Sequence, residues 1–214
     1  MKYNQWQSGP ITNILIAINI LVAAVLLWPG LANNAIIAGG FIPARFTLNA
    51  DAGSYFLLPI WITPVSSAFL HGGLMHLMLN MLMLAFTGKM MERVLGGKGL
   101  LILYFAGIFA SCAAEFIASP YSPSPVIGAS GAISALLGAY VILFPNKEPK
   151  PWGPIPAGYA RPIQLLLLWS VINLMMGFVS PGMGYSIAVF AHIGGFAVGL
   201  LLAHPLLRWR YRNA

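Results

Sequence analysis

Long apolar runs, separated by short polar or proline-rich connectors, dominate the chain. Six of them are long enough, or nearly so, to cross ~30 Å of hydrocarbon as helices. They lie at about 11–29, 69–91, 100–118, 128–145, 162–180 and 186–207. No polar stretch between them could build a soluble domain, so the pattern predicts an all-α membrane protein with a single domain over 1–214. The first run follows Lys2 and could pass for a signal peptide, but its length of about 19 residues exceeds the usual ~7–15 of a cleaved apolar segment. A retained helix is expected. Segment 30–68 reads as a long loop on the outer side, with Phe41, Phe46, Tyr55, Phe56 and Trp61 among prolines and glycines. Aromatics of this kind favour the headgroup level. The proline-rich stretch 145–162 reads as a connector, and no internal repeat is present.

Composition agrees with the pattern. Of 214 residues, 59% are hydrophobic and 7% charged, with a mean hydropathy of +0.82. The net charge of +7 alone would suggest a nucleic-acid partner. Its distribution argues against one, because no basic face with interleaved aromatics exists. Instead, Lys2, Lys89, Arg93, Lys98, Lys147, Lys150, Arg161, Arg208, Arg210 and Arg212 all fall on one side of the six-span pattern, leaving only Arg45 on the other. That asymmetry places both termini in the cytoplasm. A single cysteine, Cys112, offers neither a disulfide nor a cysteine-based metal site.

Few residues in such a chain can do polar chemistry. Ser130 stands in Gly128-Ala129-Ser130-Gly131 at the mouth of the fourth run, and His192 just inside the sixth. The second run carries His76 and Asn80. Ser130 lies 17 residues before Lys147 and His192 16 before Arg208, so both sit about 25 Å above the inner boundary. His76 lies 13 residues before Lys89 and 17 before Arg93, which gives roughly 20–25 Å. One layer, below the outer surface, therefore holds all three. His76 and Asn80 are four apart and point into one pocket, whereas His71 lies about 140° around the helix and serves another contact or belongs to the loop.

Small residues supply the means of approach. Ser130, Ser134 and Gly138 form a stripe along the fourth run, and Gly195 and Gly199 a Gly-xxx-Gly pattern below His192. Such stripes let membrane helices pack closely, which would bring Ser130 Oγ within reach of His192. Taken singly, a serine beside glycine at a helix start is usually a cap, and an intramembrane Asn can be interhelical glue. Together they suggest a nucleophile and its base. The oxyanion formed on attack needs preplaced donors, for which the Ser130 amide, His76 and Asn80 are candidates. Gly128 and Gly131 would let a substrate backbone come close. The acids Asp51, Glu92, Glu115 and Glu148 offer no natural third member beside His192, so the reading is a Ser–His dyad. A zincin would need His-Glu-x-x-His, and an aspartyl protease two carboxylates. The chain has no His-Glu-x-x-His, and its only aspartate is Asp51, in the first loop.

The ordered motifs resemble the rhomboid intramembrane serine proteases of the compact six-helix type. They are Gly-Phe-Ile-Pro-Ala-Arg at 40–45, Phe69-Leu70-His71 leading to His76 and Asn80, Glu92 to Gly96, Gly-Ala-Ser-Gly at 128–131, and Ala-His-Ile-Gly-Gly at 191–195 followed by Gly199. The resemblance covers roughly 40–205. It implies Ser130 as nucleophile, His192 as general base and then acid, and His76, Asn80 and the Ser130 amide as oxyanion donors. It further implies cleavage of peptide bonds in or near transmembrane segments of other membrane proteins, without metal or other cofactor. Two positions depart from some members: Trp61-Ile62 replaces Trp-Arg, and Ser134 replaces an aromatic that stacks on the histidine. The alternative is a catalytically silent relative that binds transmembrane segments for quality control or escort. A bacterial inner membrane, with the site opening to the outer side, is the expected setting.

Overall fold

The computed structural model describes residues 9–48, 57–145, 150–179 and 188–212. Lys2, Asp51, Tyr55, Phe56, Lys147 and Glu148, invoked above, lie outside them. The helices are α1 (Pro10–Leu26), α2 (Leu31–Gly39), α3 (Pro43–Thr47), α4 (Thr63–Ser67), α5 (Leu74–Ala118), α6 (Ser130–Leu143), α7 (Ala157–Val179) and α8 (Val189–Arg210). By length and apolar composition α5, α7 and α8 can cross a membrane, and α1 and α6 are shorter apolar helices.

The second and third predicted spans are joined more tightly than expected. Helix α5 runs through both, and its only non-helical residue is Gly96 (φ 73, ψ 169). That conformation suits glycine, and a side chain there would collide with the Arg210 guanidinium. Lys89, Arg93 and Lys98 therefore sit on helical turns beside the bend, not in a loop. The chain reverses at this point: His76, before the bend, and Ser111, after it, both lie against segment 128–131 of the loop and α6.

The other helices can be set along the same axis. Glu92, on the turn before the bend, accepts hydrogen bonds from Ile11 N (2.9 Å), Thr12 N (2.8 Å) and Thr12 Oγ1 (2.7 Å). It thus caps α1, whose first amides have no acceptor within their own helix. Arg210, at the end of α8, reaches Gly96. The start of α1 and the end of α8 consequently share the level of the bend, and the starts of α6 and α8 share the opposite level. Leu84, Met91, Leu95, Leu100, Leu103, Tyr104, Leu136 and Ala203 fill the centre. The outside is also apolar, with Leu82, Leu168, Phe178 and Leu201 exposed, as expected where the surrounding solvent is hydrocarbon.

Segment 30–68 is more than the loop expected from its prolines and glycines. It contains α2, α3 and α4, and prolines start the latter two, where the missing N–H costs nothing. Phe41 exchanges backbone hydrogen bonds with Val126 (3.1 and 2.8 Å), and Ala44 N donates to Ser122 O (3.0 Å). Arg45, nearly buried, donates to Leu58 O at 2.8 Å. Short helices of this kind carry no extended hydrophobic periodicity, which is why the sequence pattern misses them. Helix α7 also starts earlier than predicted, at Ala157, and carries Pro162 within it.

Candidate active site

Ser130 is the first residue of α6, and its preceding turn requires glycine. Gly128 has φ +106, and a Cβ there would lie 2.8 Å from His76 Cε1 and Nε2. Its N–H donates to Ser67 O (2.9 Å), tying the turn to α4. As the first residue of a helix, Ser130 has an amide with no intrahelical acceptor.

His192 sits in the first turn of α8, 62 positions from Ser130, and its Nε2 is 2.8 Å from Ser130 Oγ. Backbone proximity makes this possible. A Cβ on Gly199 would strike Ala135 O, one on Gly195 would strike Gly131 O, and one on Gly138 would strike Phe196 O. Helices α6 and α8 thus meet main chain to main chain at Gly138, Gly195 and Gly199. Ser134 is buried one turn after Ser130. Gly131 lines the cavity described below, and a Cβ on it would strike Ser111 of α5.

His76 and Asn80 share one face of α5 beside Gly128. His76 Nδ1 accepts from Gly72 N at 3.3 Å, so the ring proton resides on Nε2, the atom nearer Gly128. Asn80 Nδ2 donates one hydrogen to His76 O (2.9 Å) and keeps a second. His71 precedes the helix and meets the His76 ring edge to face, with centroids 5.1 Å apart. A cavity of about 990 Å³ joins Ser130, His192, His76, Asn80, Glu115 and Asn173 in its lining.

Two lining residues escaped the sequence reading. Glu115, unassigned there, accepts the Ala191 N–H at 3.0 Å. It supplies an acidic cap at the positive end of α8. Asn173 of α7 presents Oδ1 2.8 Å from His192 Nδ1. Acids are the usual third member beside a histidine, and Asn173 is not among them. A lone amide in the apolar run 165–179 is the available signal, by the same reasoning that selects Asn80.

Residues 60–209 match the Rhomboid domain family model. The chain is 40% identical over 146 residues to RHOMBOID-like protein 4 of Arabidopsis thaliana, covering 67% of this chain and 33% of that protein. It is 30% identical over 209 residues to rhomboid protease GlpG of Yersinia pestis (strain Pestoides F), covering 97% of this chain and 65% of that one. The chain thus spans less than two thirds of either relative. With its apolar membrane-length helices, it is an integral membrane protein that belongs to the rhomboid family.

Proposed function

We propose that the protein is an intramembrane serine endopeptidase that cleaves peptide bonds in or near the transmembrane segments of other membrane proteins. The observation that carries this reading is the 2.8 Å approach of Ser130 Oγ to His192 Nε2 at the wall of the cavity. A hydroxyl is a weak nucleophile until a base takes its proton, and a neutral imidazole nitrogen at this distance can do so. Ser130 Oγ attacks the scissile carbonyl as its proton passes to His192 Nε2. The oxyanion is met by the Ser130 N–H, His76 Nε2–H and the remaining Asn80 Nδ2–H. His192 then protonates the leaving amine, and water, deprotonated by the same nitrogen, releases the acyl group from Ser130.

The family supports a membrane-embedded protease, and the arrangement along the bundle axis supports six spans with both termini in the cytoplasm. Under that topology the Ser130 level lies toward the outer leaflet, in an inner bacterial membrane. Close quarters around Gly128 favour small substrate side chains at the scissile position.

The test is cleavage of a single-span model substrate in liposomes. Wild-type protein should cut it, and folded Ser130→Ala and His192→Ala should not. His76→Ala should lose ~10²-fold or more in kcat, as expected for an oxyanion donor. A fluorophosphonate should label Ser130. Cutting by Ser130→Ala at the wild-type rate would sink the reading. A wild-type protein that binds the substrate segment but neither cuts nor labels would favour the silent relative instead.

A further inference from the structure

We infer that Asn173 positions His192 as a third member of the site, holding the imidazole with its proton on Nδ1 so that Nε2 is free to accept from Ser130. The inference rests on the Ser130–His192 reading and extends it to the element that orients the base.

The hydrogen-bond inventory around Asn173 leaves one consistent arrangement. Asn173 Nδ2 donates to Trp169 O at 2.9 Å, one turn earlier on α7. A carbonyl can only accept, so the amide nitrogen must face it and Oδ1 must face His192. Oδ1 in turn only accepts, so His192 Nδ1 at 2.8 Å must carry the proton. In neutral imidazole the other nitrogen is then the acceptor, and Nε2 faces the Ser130 hydroxyl. The opposite tautomer would require Asn173 to flip, setting Oδ1 against Trp169 O. Asn173 is 5% exposed, so water cannot cheaply compensate such a mismatch.

Helix α7 secures the same residue a second time. Trp169 Nε1 donates to His192 O (3.2 Å) and its ring stacks on Phe196, with centroids 5.0 Å apart and planes 15° apart. Two successive turns of α7 thus hold one turn of α8. Position 134 offers no ring to brace His192 from α6, and the brace comes from α7. A neutral amide does this without the desolvation cost that a carboxylate would bring to an apolar bundle.

The test compares Asn173→Leu and Asn173→Asp with wild type, in liposomes with the single-span substrate, alongside ¹⁵N NMR of histidine-labelled protein. His192 is assigned by its loss in His192→Asn. Asn173→Leu should lower kcat at least ~10-fold with KM little changed, less than the ~10⁴-fold drop seen where a charged orienting group is lost. Asn173→Asp, which keeps an acceptor oxygen, should recover most of the loss. Wild-type His192 should show a protonated Nδ1 and an unprotonated Nε2. Full kcat in folded Asn173→Leu, or a wild-type proton on Nε2, would overturn the inference. If the leucine variant fails to fold, the wild-type spectrum still decides. Absence of wild-type cutting and Ser130 labelling would defeat the protease reading instead, leaving the tautomer measurement to judge Asn173 by itself.

Discussion

The Glu115 carboxylate accepts the Ala191 N–H at 3.0 Å, so a side chain of α5 caps the first turn of α8 one residue before His192. The direction of the imidazole is thereby tied to a helix remote in sequence. A carboxylate is well suited to this place, because the first amides of a helix lack acceptors and together carry partial positive charge.

Replacing Glu115 by leucine should therefore cost about 1–2 kcal/mol, the usual worth of a helix cap. It should lower the thermal unfolding midpoint in detergent and slow substrate cutting together. Glu115→Gln keeps an acceptor oxygen and should stay near wild type on both. Equal midpoints for the leucine variant and wild type would show that the cap contributes nothing.

Gly128 makes a different demand. Its positive φ disfavours any side chain, and a methyl would press on the imidazole of His76. Gly128→Ala should cost about 1–3 kcal/mol through strain and overpacking. Its larger effect should be on chemistry, since His76 must move from the proposed oxyanion position. Fluorophosphonate labelling of Ser130 should slow by ~10-fold or more, a change expected when a donor aimed at developing charge is displaced. Unchanged labelling in a folded Gly128→Ala protein would remove this role.

At the other end of the bundle, Glu92 accepts three hydrogen bonds from the start of α1 and is 7% exposed. Its loss in Glu92→Ala leaves the two buried donors of Thr12 and the part-buried Ile11 N–H without partners, and should destabilise by about 3 kcal/mol or more. Glu92→Gln, with one acceptor oxygen left, should fall between. Because Glu92 is far from Ser130 along the axis, labelling by the fluorophosphonate below the unfolding range should persist in both. Chemical denaturation in mixed micelles gives the stability order, and an alanine variant as stable as wild type would contradict it.

Much of the arrangement was legible in the sequence because helical rise is fixed. Counting from Lys89, Lys147 and Arg208 gave one depth for His76, Ser130 and His192, and the small-residue stripes gave the α6–α8 contact. Gly138, Gly195 and Gly199 do lie at that contact. What escaped was written in signals that depth and charge do not carry. Asn173 is neutral and sits in α7, which carries no motif, so nothing in the sequence ties it to His192. Glu115 stood at the right level, but its contact is with a backbone amide, whose direction depends on where α8 begins. Helices α2, α3 and α4 hold their places through backbone exchanges such as Phe41 with Val126, which leave no periodic trace.

The contact between α6 and α8 has a mechanical consequence. Where two helices touch through main-chain atoms, no rotamer stands between them to be exchanged, and the gap is set by peptide bulk alone. The separation of the backbones that carry Ser130 and His192 is then a property of two stiff rods, and the side chains only aim within it. Its tolerance for evolutionary drift is correspondingly narrow: even a single added methyl at position 199 must wedge the rods apart, and the separation it causes is felt wherever they meet.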